Sequence, residues 1–117
     1  MRHVFVGETD ADAHRFGKPA MNYHLGNMNW LRVNQGDTNL TSRLKIPHGE
    51  SFEDCLANGS VIAGSPASVR ATIERHVKEL GINYLVTYLF MGTMSLSDAL
   101  RSFTLFRDEV MPHLARF

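Results

Sequence analysis

The chain has no excess of charge of either sign. Its 117 residues carry 12 Lys and Arg against 12 Asp and Glu, so the formal net charge is zero with the histidines neutral. A protein that binds nucleic acid normally carries an excess of Lys and Arg to neutralise phosphates, and a solvating acidic tail carries the reverse excess. The balance therefore predicts no nucleic-acid partner.

Cysteine and long apolar runs are equally scarce. Cys55 is the single cysteine, which excludes the small secreted scaffolds held by internal disulfides and favours a reducing, cytoplasmic location. The longest apolar run, 84–91, is interrupted by Thr87 and is far shorter than the ~20 residues of a membrane span. We therefore expect no membrane partner, and we interpret this run as a buried strand.

Metal-ligand patterns are also missing. The six histidines show no pair at the i, i+4 spacing of a helical metal site and no cluster with cysteine, so we predict no metal site. What is present is 44% hydrophobic and 21% charged residues, as in an ordinary globular domain. The length predicts one domain over 1–117.

The first half of the chain predicts one strand and little regular structure after it. Residues 1–20 predict a strand and a short helix: Thr9 and Asp12 have capping-box spacing, and Gly17 and Pro19 predict a break in the helix. Residues 21–60 are rich in Asn, Gly and Thr and keep no period. They are either a lid over a ligand or a surface excursion with one or two short helices, of which 51–59 is one.

Residues 61–117 predict a helix, a strand and a helix. Gly64-Ser65-Pro66 supplies a cap and a first-turn proline for a helix over 66–80. The same turn could present N–H groups to a phosphate. Residues 82–90 predict a strand covered on both faces, and Ser95 with Asp98 starts a final helix from about 96 to 110 or beyond. The order of elements is that of an α/β fold with parallel connections.

Several of these segments resemble one family. The segments are VFVGETDADA at 4–13, GSPASV at 64–69, LGINYL at 80–85, SLSDALRS at 95–102 and LFRDEVMP at 105–112. In this order they are similar to the C-terminal end of luciferase-like monooxygenases, the flavin-dependent relatives of bacterial luciferase. The resemblance implies an oxidoreductase that uses reduced flavin, FMN, and oxygen on an organic substrate.

The resemblance also implies the C-terminal part of a (β/α)8 TIM-type barrel, which is incomplete here. Such barrels take roughly 250 residues, so this chain would supply only the last strands and helices with the excursion between them. The family's main flavin contacts and catalytic residues lie mostly on earlier strands, so no catalytic residue is assigned.

Candidate site residues follow from the barrel, because barrel enzymes place their sites at the carboxyl ends of strands. The resemblance implies that Tyr88, Phe90 and Met91 line a flavin or substrate pocket. In the excursion, His24, Trp30, Arg43 and Lys45 would close over the cofactor or substrate as a lid, with the two cations meeting a phosphate or another anion. Packing in the core, or simple exposure at the surface, is the alternative role for each of them.

A partial barrel must have its open faces covered. Either a separate N-terminal barrel portion or a second copy of the chain would do this; the third possibility is that the chain is the remnant of a larger gene and has lost the native fold. We therefore hold two hypotheses: the segment of a monooxygenase, inactive alone, and a non-catalytic partial-barrel module that forms homo-oligomers and binds flavin or an apolar ligand.

Overall fold

Three short parallel strands form the centre of the fold. The computed structural model describes residues 1–34 and 51–115, except for the side chains at 32 and 33. The strands are β1 (Arg2–Val6), β2 (Val61–Gly64) and β3 (Thr87–Tyr88), and they lie in the order β2-β1-β3. With helices on both faces, the architecture is mixed α/β, as the order of elements predicted.

Within the residues that the structure describes, six helical segments connect and cover the strands. They are α1 (Asp10–Asn34), α2 (Phe52–Asn58), α3 (Pro66–Leu80), α4 (Leu96–Leu105), a π-helical turn (Phe106–Val110) and α5 (Met111–Leu114). The π-helical turn ends two residues before Pro112. Proline cannot donate a backbone hydrogen bond and its ring collides with the preceding helical turn, so a locally wider turn accommodates it without ending the helix.

The sheet separates two hydrophobic clusters. The first joins one face of the sheet to α1 and α2 and consists of Phe5, Phe16, Ala20, Met21, Leu25, Phe52, Cys55, Val61, Met94 and Ala99. The second joins the other face to α3 and the C-terminal helices and consists of Val4, Val6, Ile62, Val69, Ile73, Phe106 and Val110. Alternate residues of β1 therefore enter opposite clusters, as expected for a strand covered on both faces.

The predicted break in the first helix is wrong, because α1 runs through Gly17 and Pro19 to Asn34. Gly17 is buried, and a Cβ placed on it would lie 2.9 Å from Cγ of Phe5. Glycine here permits close approach of the helix to the sheet. The buried face of α1 thus outweighs a local signal that disfavours helix. Of the predicted excursion 21–60, residues 21–34 belong to α1 and 52–58 form α2, while 35–50 lie outside the described residues.

The predicted helix starts are confirmed. The Thr9 hydroxyl accepts from the Asp12 N–H at 3.1 Å, and the hydroxyls of Ser65 and Ser95 cap α3 and α4 in the same way. Helix α3 covers 66–80 as predicted and ends at Gly81, whose φ is +63°.

The C-terminal strand differs from its prediction over 82–90. Only Thr87–Tyr88 forms strand, paired with the start of β1, and 61–64 forms a strand that the sequence pattern missed. Strand pairing needs a neighbour along its length, and β1 begins only at Arg2. The first half of the predicted strand therefore has no β1 residue opposite it.

Candidate functional site

The residues predicted to bind a cofactor lie at and after the end of β3. Tyr88 is the last residue of the strand and is 48% exposed, and Phe90 is 62% exposed. Met91 is partly buried and packs against the first hydrophobic cluster. The structure thus leaves two aromatic side chains open at this strand end, while Met91 takes the packing role that was the alternative.

Tyr88 and the predicted lid residue His24 are brought together by His3. The Tyr88 and His3 rings are stacked, with centroids 5.4 Å apart, and the His3 and His24 rings are tilted, with centroids 5.6 Å apart. His3 sits opposite Tyr88 in the register of the sheet, and His24 reaches the pair from α1. Sequence reasoning missed His3, whose position opposite Tyr88 depends on long-range strand pairing.

The other predicted site residues are not part of this group. Trp30 lies six residues beyond His24 on α1, about 9 Å further along the helix axis, and is 64% exposed. Arg43 and Lys45 lie outside the residues that the structure describes. The described residues therefore provide exposed aromatic surface at the end of β3, whereas the predicted phosphate-binding residues Arg43 and Lys45 are not among the described residues.

A polar cluster occupies the starts of α1 and α4, near the carboxyl end of β1. Arg15 lies 3.1 Å from Asp12 and 3.0 Å from Asp98, and Arg101 lies 3.0 Å and 3.3 Å from the same two carboxylates. Each guanidinium bridges both helices. Hydrogen bonding from Arg15 lowers the pKa of Asp98, so this carboxylate stays ionised and is unsuited to proton transfer near neutral pH.

This cluster was missed as a unit, although its signal is in the sequence. Asp12 and Asp98 are the third residues of α1 and α4, each three residues after the capping Thr9 or Ser95. Arg15 and Arg101 follow the two aspartates by three residues. The capping spacing predicts where α1 and α4 begin, but it does not predict that the beginnings of the two helices lie side by side. The mutual neutralisation of these charges indicates a clasp between α1 and α4 rather than a free anion site.

The start of α3 is filled by a side chain of the protein. The Asp10 carboxylate accepts from the Ser65 N–H at 2.7 Å, and this bond lowers the pKa of Asp10. A Cβ on Gly64 would lie 2.7 Å from the same carboxylate oxygen. Because Asp10 takes the place that a phosphate would need, Gly64-Ser65-Pro66 serves as a structural cap.

Over 1–34 and 51–115, no helix has the length and apolar character needed to cross a membrane. Within the same ranges, no three His, Cys, Asp or Glu side chains are grouped so that they could hold a metal ion.

Comparisons of the chain with protein-family models, with curated proteins and with solved structures found no match.

Proposed function

We propose that this chain is the C-terminal segment of a luciferase-like, flavin-dependent monooxygenase, acting in the cytoplasm and inactive alone. The main support for this proposal is the aromatic surface at the end of β3, where Tyr88 and Phe90 are exposed. An isoalloxazine ring is a flat aromatic group that such side chains can stack on.

The element boundaries support the same proposal. The GSPASV segment spans the junction of β2 and α3, and the SLSDALRS segment begins at the cap of α4. The VFVG segment leaves β1 shortly before α1 begins. Three of the five segments that carry the resemblance therefore fall on strand-to-helix steps of a parallel α/β unit, which is the repeating unit of a barrel, whereas 80–85 continues from the end of α3 without forming strand and 105–112 is helical.

The strand order differs from that of a closed barrel. Consecutive strands are neighbours in such a barrel, so β2 would lie between β1 and β3. Here β1 is central. A complete barrel would bring an earlier strand to the β1 edge that β3 occupies, and β3 would then pair along β2. The proposal requires this exchange, which the N-terminal barrel portion would drive.

FMN, when bound, would supply the reaction with oxygen. The described residues fit its ring system in part: Tyr88 and Phe90 can stack on the ring and exclude water from it, and His24 of α1 lies beside the His3 ring that stacks on Tyr88. Arg43 and Lys45 are the cations proposed for the phosphate. Arg15 and Arg101 are unsuited to that role because Asp12 and Asp98 already pair with them.

Equilibrium titration with FMN tests this site. We expect saturable binding with a micromolar Kd, measured from the quenching of flavin fluorescence. Tyr88→Ala and Phe90→Ala should each weaken binding about twofold to twelvefold, since an aromatic contact contributes about 0.5–1.5 kcal/mol. Tyr84→Ala is the matched control, because Tyr84 is 81% exposed but lies before the strand.

Absence of saturable binding, or an equal loss of FMN affinity in the Tyr84 variant, would overturn the flavin site.

A second assay supplies the chain with reduced FMN, oxygen and an aldehyde. We expect no turnover above a control without protein, because the earlier strands are missing. Turnover by the isolated chain would contradict the statement that it is inactive alone.

A non-catalytic, self-associating module is the second candidate function. Alternate residues of the 84–90 segment are exposed and apolar, with Tyr84 at 81%, Val86 at 43%, Tyr88 at 48% and Phe90 at 62%. No Asp, Glu, Lys or Arg occurs between Glu79 and Asp98. Natural sheet edges are usually protected by charge, so this uncharged edge favours coverage by a second copy.

The mass in solution distinguishes the two candidates. A homo-oligomer predicts two or more chains by sedimentation equilibrium. Phe90→Asp should return the protein to a monomer, whereas Tyr23→Asp, at an exposed position of α1, should not. A folded monomer at micromolar concentration would exclude the oligomeric module. Binding of FMN to that monomer would then favour the monooxygenase segment.

A further inference from the structure

A cleft of about 190 Å³ lies at the amino-terminal edge of the sheet, on the α3 side. Its lining includes Arg2 at the start of β1, Gly59 after α2, and three residues of α3, which are Thr72, Arg75 and His76. It is separate from the aromatic group at the end of β3, and neither the resemblance nor the proposed function assigns it a role.

His76 is the unusual residue in this cleft. Its side chain is among the few buried polar ones, with 7% exposure. Among the described residues, neither its Nδ1 nor the buried Nε of Arg2 has a hydrogen-bond partner. Buried polar atoms in native structures are nearly always paired, so two unpaired ones lining one cleft indicate a missing partner.

The other ring nitrogen of His76 is turned towards Gly59. A Cβ at position 59 would lie only 3.0 Å from Nε2, so the glycine keeps this side of the ring uncovered. The Gly59 φ of +79° also closes α2. A neutral imidazole carries one proton. With that proton on Nδ1, the two unpaired atoms of the cleft, Nδ1 of His76 and Nε of Arg2, are both donors that lack an acceptor.

The charged groups facing His76 leave the cleft with a positive excess. Arg2 and Arg75 contribute two positive charges and Glu79 one negative charge, which leaves one positive charge when the imidazole is neutral. Arg75 pairs with Glu79 at 3.7 Å, but both side chains are more than half exposed. Burial lowers the pKa of His76, and the two arginines lower it further against the opposing effect of Glu79.

We propose that this cleft binds a small molecule through a carboxylate or phosphate group, held by the guanidinium groups of Arg2 and Arg75 and by the His76 imidazole N–H. All three are donors, and guanidinium groups match the geometry of such oxygens. A water occupies about 30 Å³ of liquid, so the cleft has room for such a group with a short organic tail.

Titration followed by NMR of the histidine ring signals tests the site. Inorganic phosphate and acetate are added separately at constant ionic strength and pH 7.5, and the His76 signal is identified by its absence in His76→Gln. We expect a saturable shift of the His76 signal with at least one probe. The probe that binds more tightly distinguishes a phosphate ligand from a carboxylate ligand.

Arg2→Gln and Arg75→Gln should each weaken binding about tenfold, as expected for the loss of a charge-assisted hydrogen bond. Arg107→Gln is the matched control, since Arg107 pairs with Asp108 outside the cleft. No saturable shift with either probe, or an equal effect of all three substitutions, would overturn the proposal. Arg75 is exposed on a helix, so its variant keeps the test valid if Arg2→Gln unfolds. The result is independent of FMN binding.

Discussion

The hydrogen bond between Ser102 and Val6 gives the sharpest prediction for stability. In β1, the Arg2 N–H donates to Val86 on the β3 side, whereas the His3 and Gly7 N–H groups donate towards β2. By this alternation the Val6 N–H points to the β3 side, where β3 has already ended at Tyr88.

Ser102 takes the place of a strand partner there. Its Oγ accepts from the Val6 N–H at 2.9 Å, and both residues are completely buried. Ser102→Ala leaves that N–H without an acceptor and without access to water, which costs about 1–3 kcal/mol. For a chain of this length we expect the melting temperature to fall by about 4–12 °C.

Urea unfolding and thermal melting, both followed by circular dichroism, measure this effect. Ser97→Ala is the control, because Ser97 is exposed on the same helix and its substitution should change stability by no more than about 0.5 kcal/mol. If the two variants are equally stable, the Val6 N–H does not depend on Ser102 and the reasoning is refuted. The slope of the urea transition should stay the same, since the buried surface hardly changes.

Three further changes have defined outcomes. Gly17→Ala should destabilise the chain by about 1–3 kcal/mol, because the new Cβ would collide with the Phe5 ring. Gly26→Ala has open space around it and should stabilise the chain by about 0.5–1 kcal/mol. Thermal melts in which both variants shift the melting temperature in the same direction would contradict the packing argument. Asp10→Asn should lower the free energy of unfolding by about 0.5 kcal/mol at pH 7. Urea melts should show the difference between variant and wild type shrinking as the pH falls through the lowered pKa of Asp10. A difference that does not change with pH would exclude a charged Asp10 as the cap of α3. The free energy of unfolding of the wild type should decline as the pH falls below the ordinary histidine pKa of 6.5, because the buried His76 has a lowered pKa and the unfolded chain binds the proton more readily. His76→Gln should flatten this decline between pH 7.5 and 5.5. If the decline with pH is the same in the variant, other groups cause it.

The predictable parts of the fold are those fixed by neighbouring residues. Helix α3 has a capping serine, a first-turn proline and a closing glycine, and it covers the predicted 66–80. The capping pairs at Thr9 and Ser95 start helices as predicted. Each signal acts within a few residues, so its outcome depends little on the rest of the chain.

The parts that were not predictable depend on distant contacts. Gly17 and Pro19 disfavour helix locally, yet the burial of Phe16, Ala20 and Met21 keeps α1 continuous. The four-residue β2 was missed because it is too short to show a period, and its identity as a strand comes from pairing with β1. Likewise, His3 joins Tyr88 and His24 only through the register of the sheet.

The segment 82–90 connects the sequence pattern to the proposed function. Its apolar residues occur on both parities, a pattern typical of a strand covered on both sides. In the structure, Leu85 and Leu89 pack against the second hydrophobic cluster, while the residues between them on the other parity are exposed. One face of the predicted strand is therefore satisfied within the chain and the other is not. Because burying a large apolar side chain contributes about 1.5–3 kcal/mol, covering this second face would favour a longer strand. Both candidate functions supply such a cover, the first through the remaining strands of a barrel and the second through another copy of the chain.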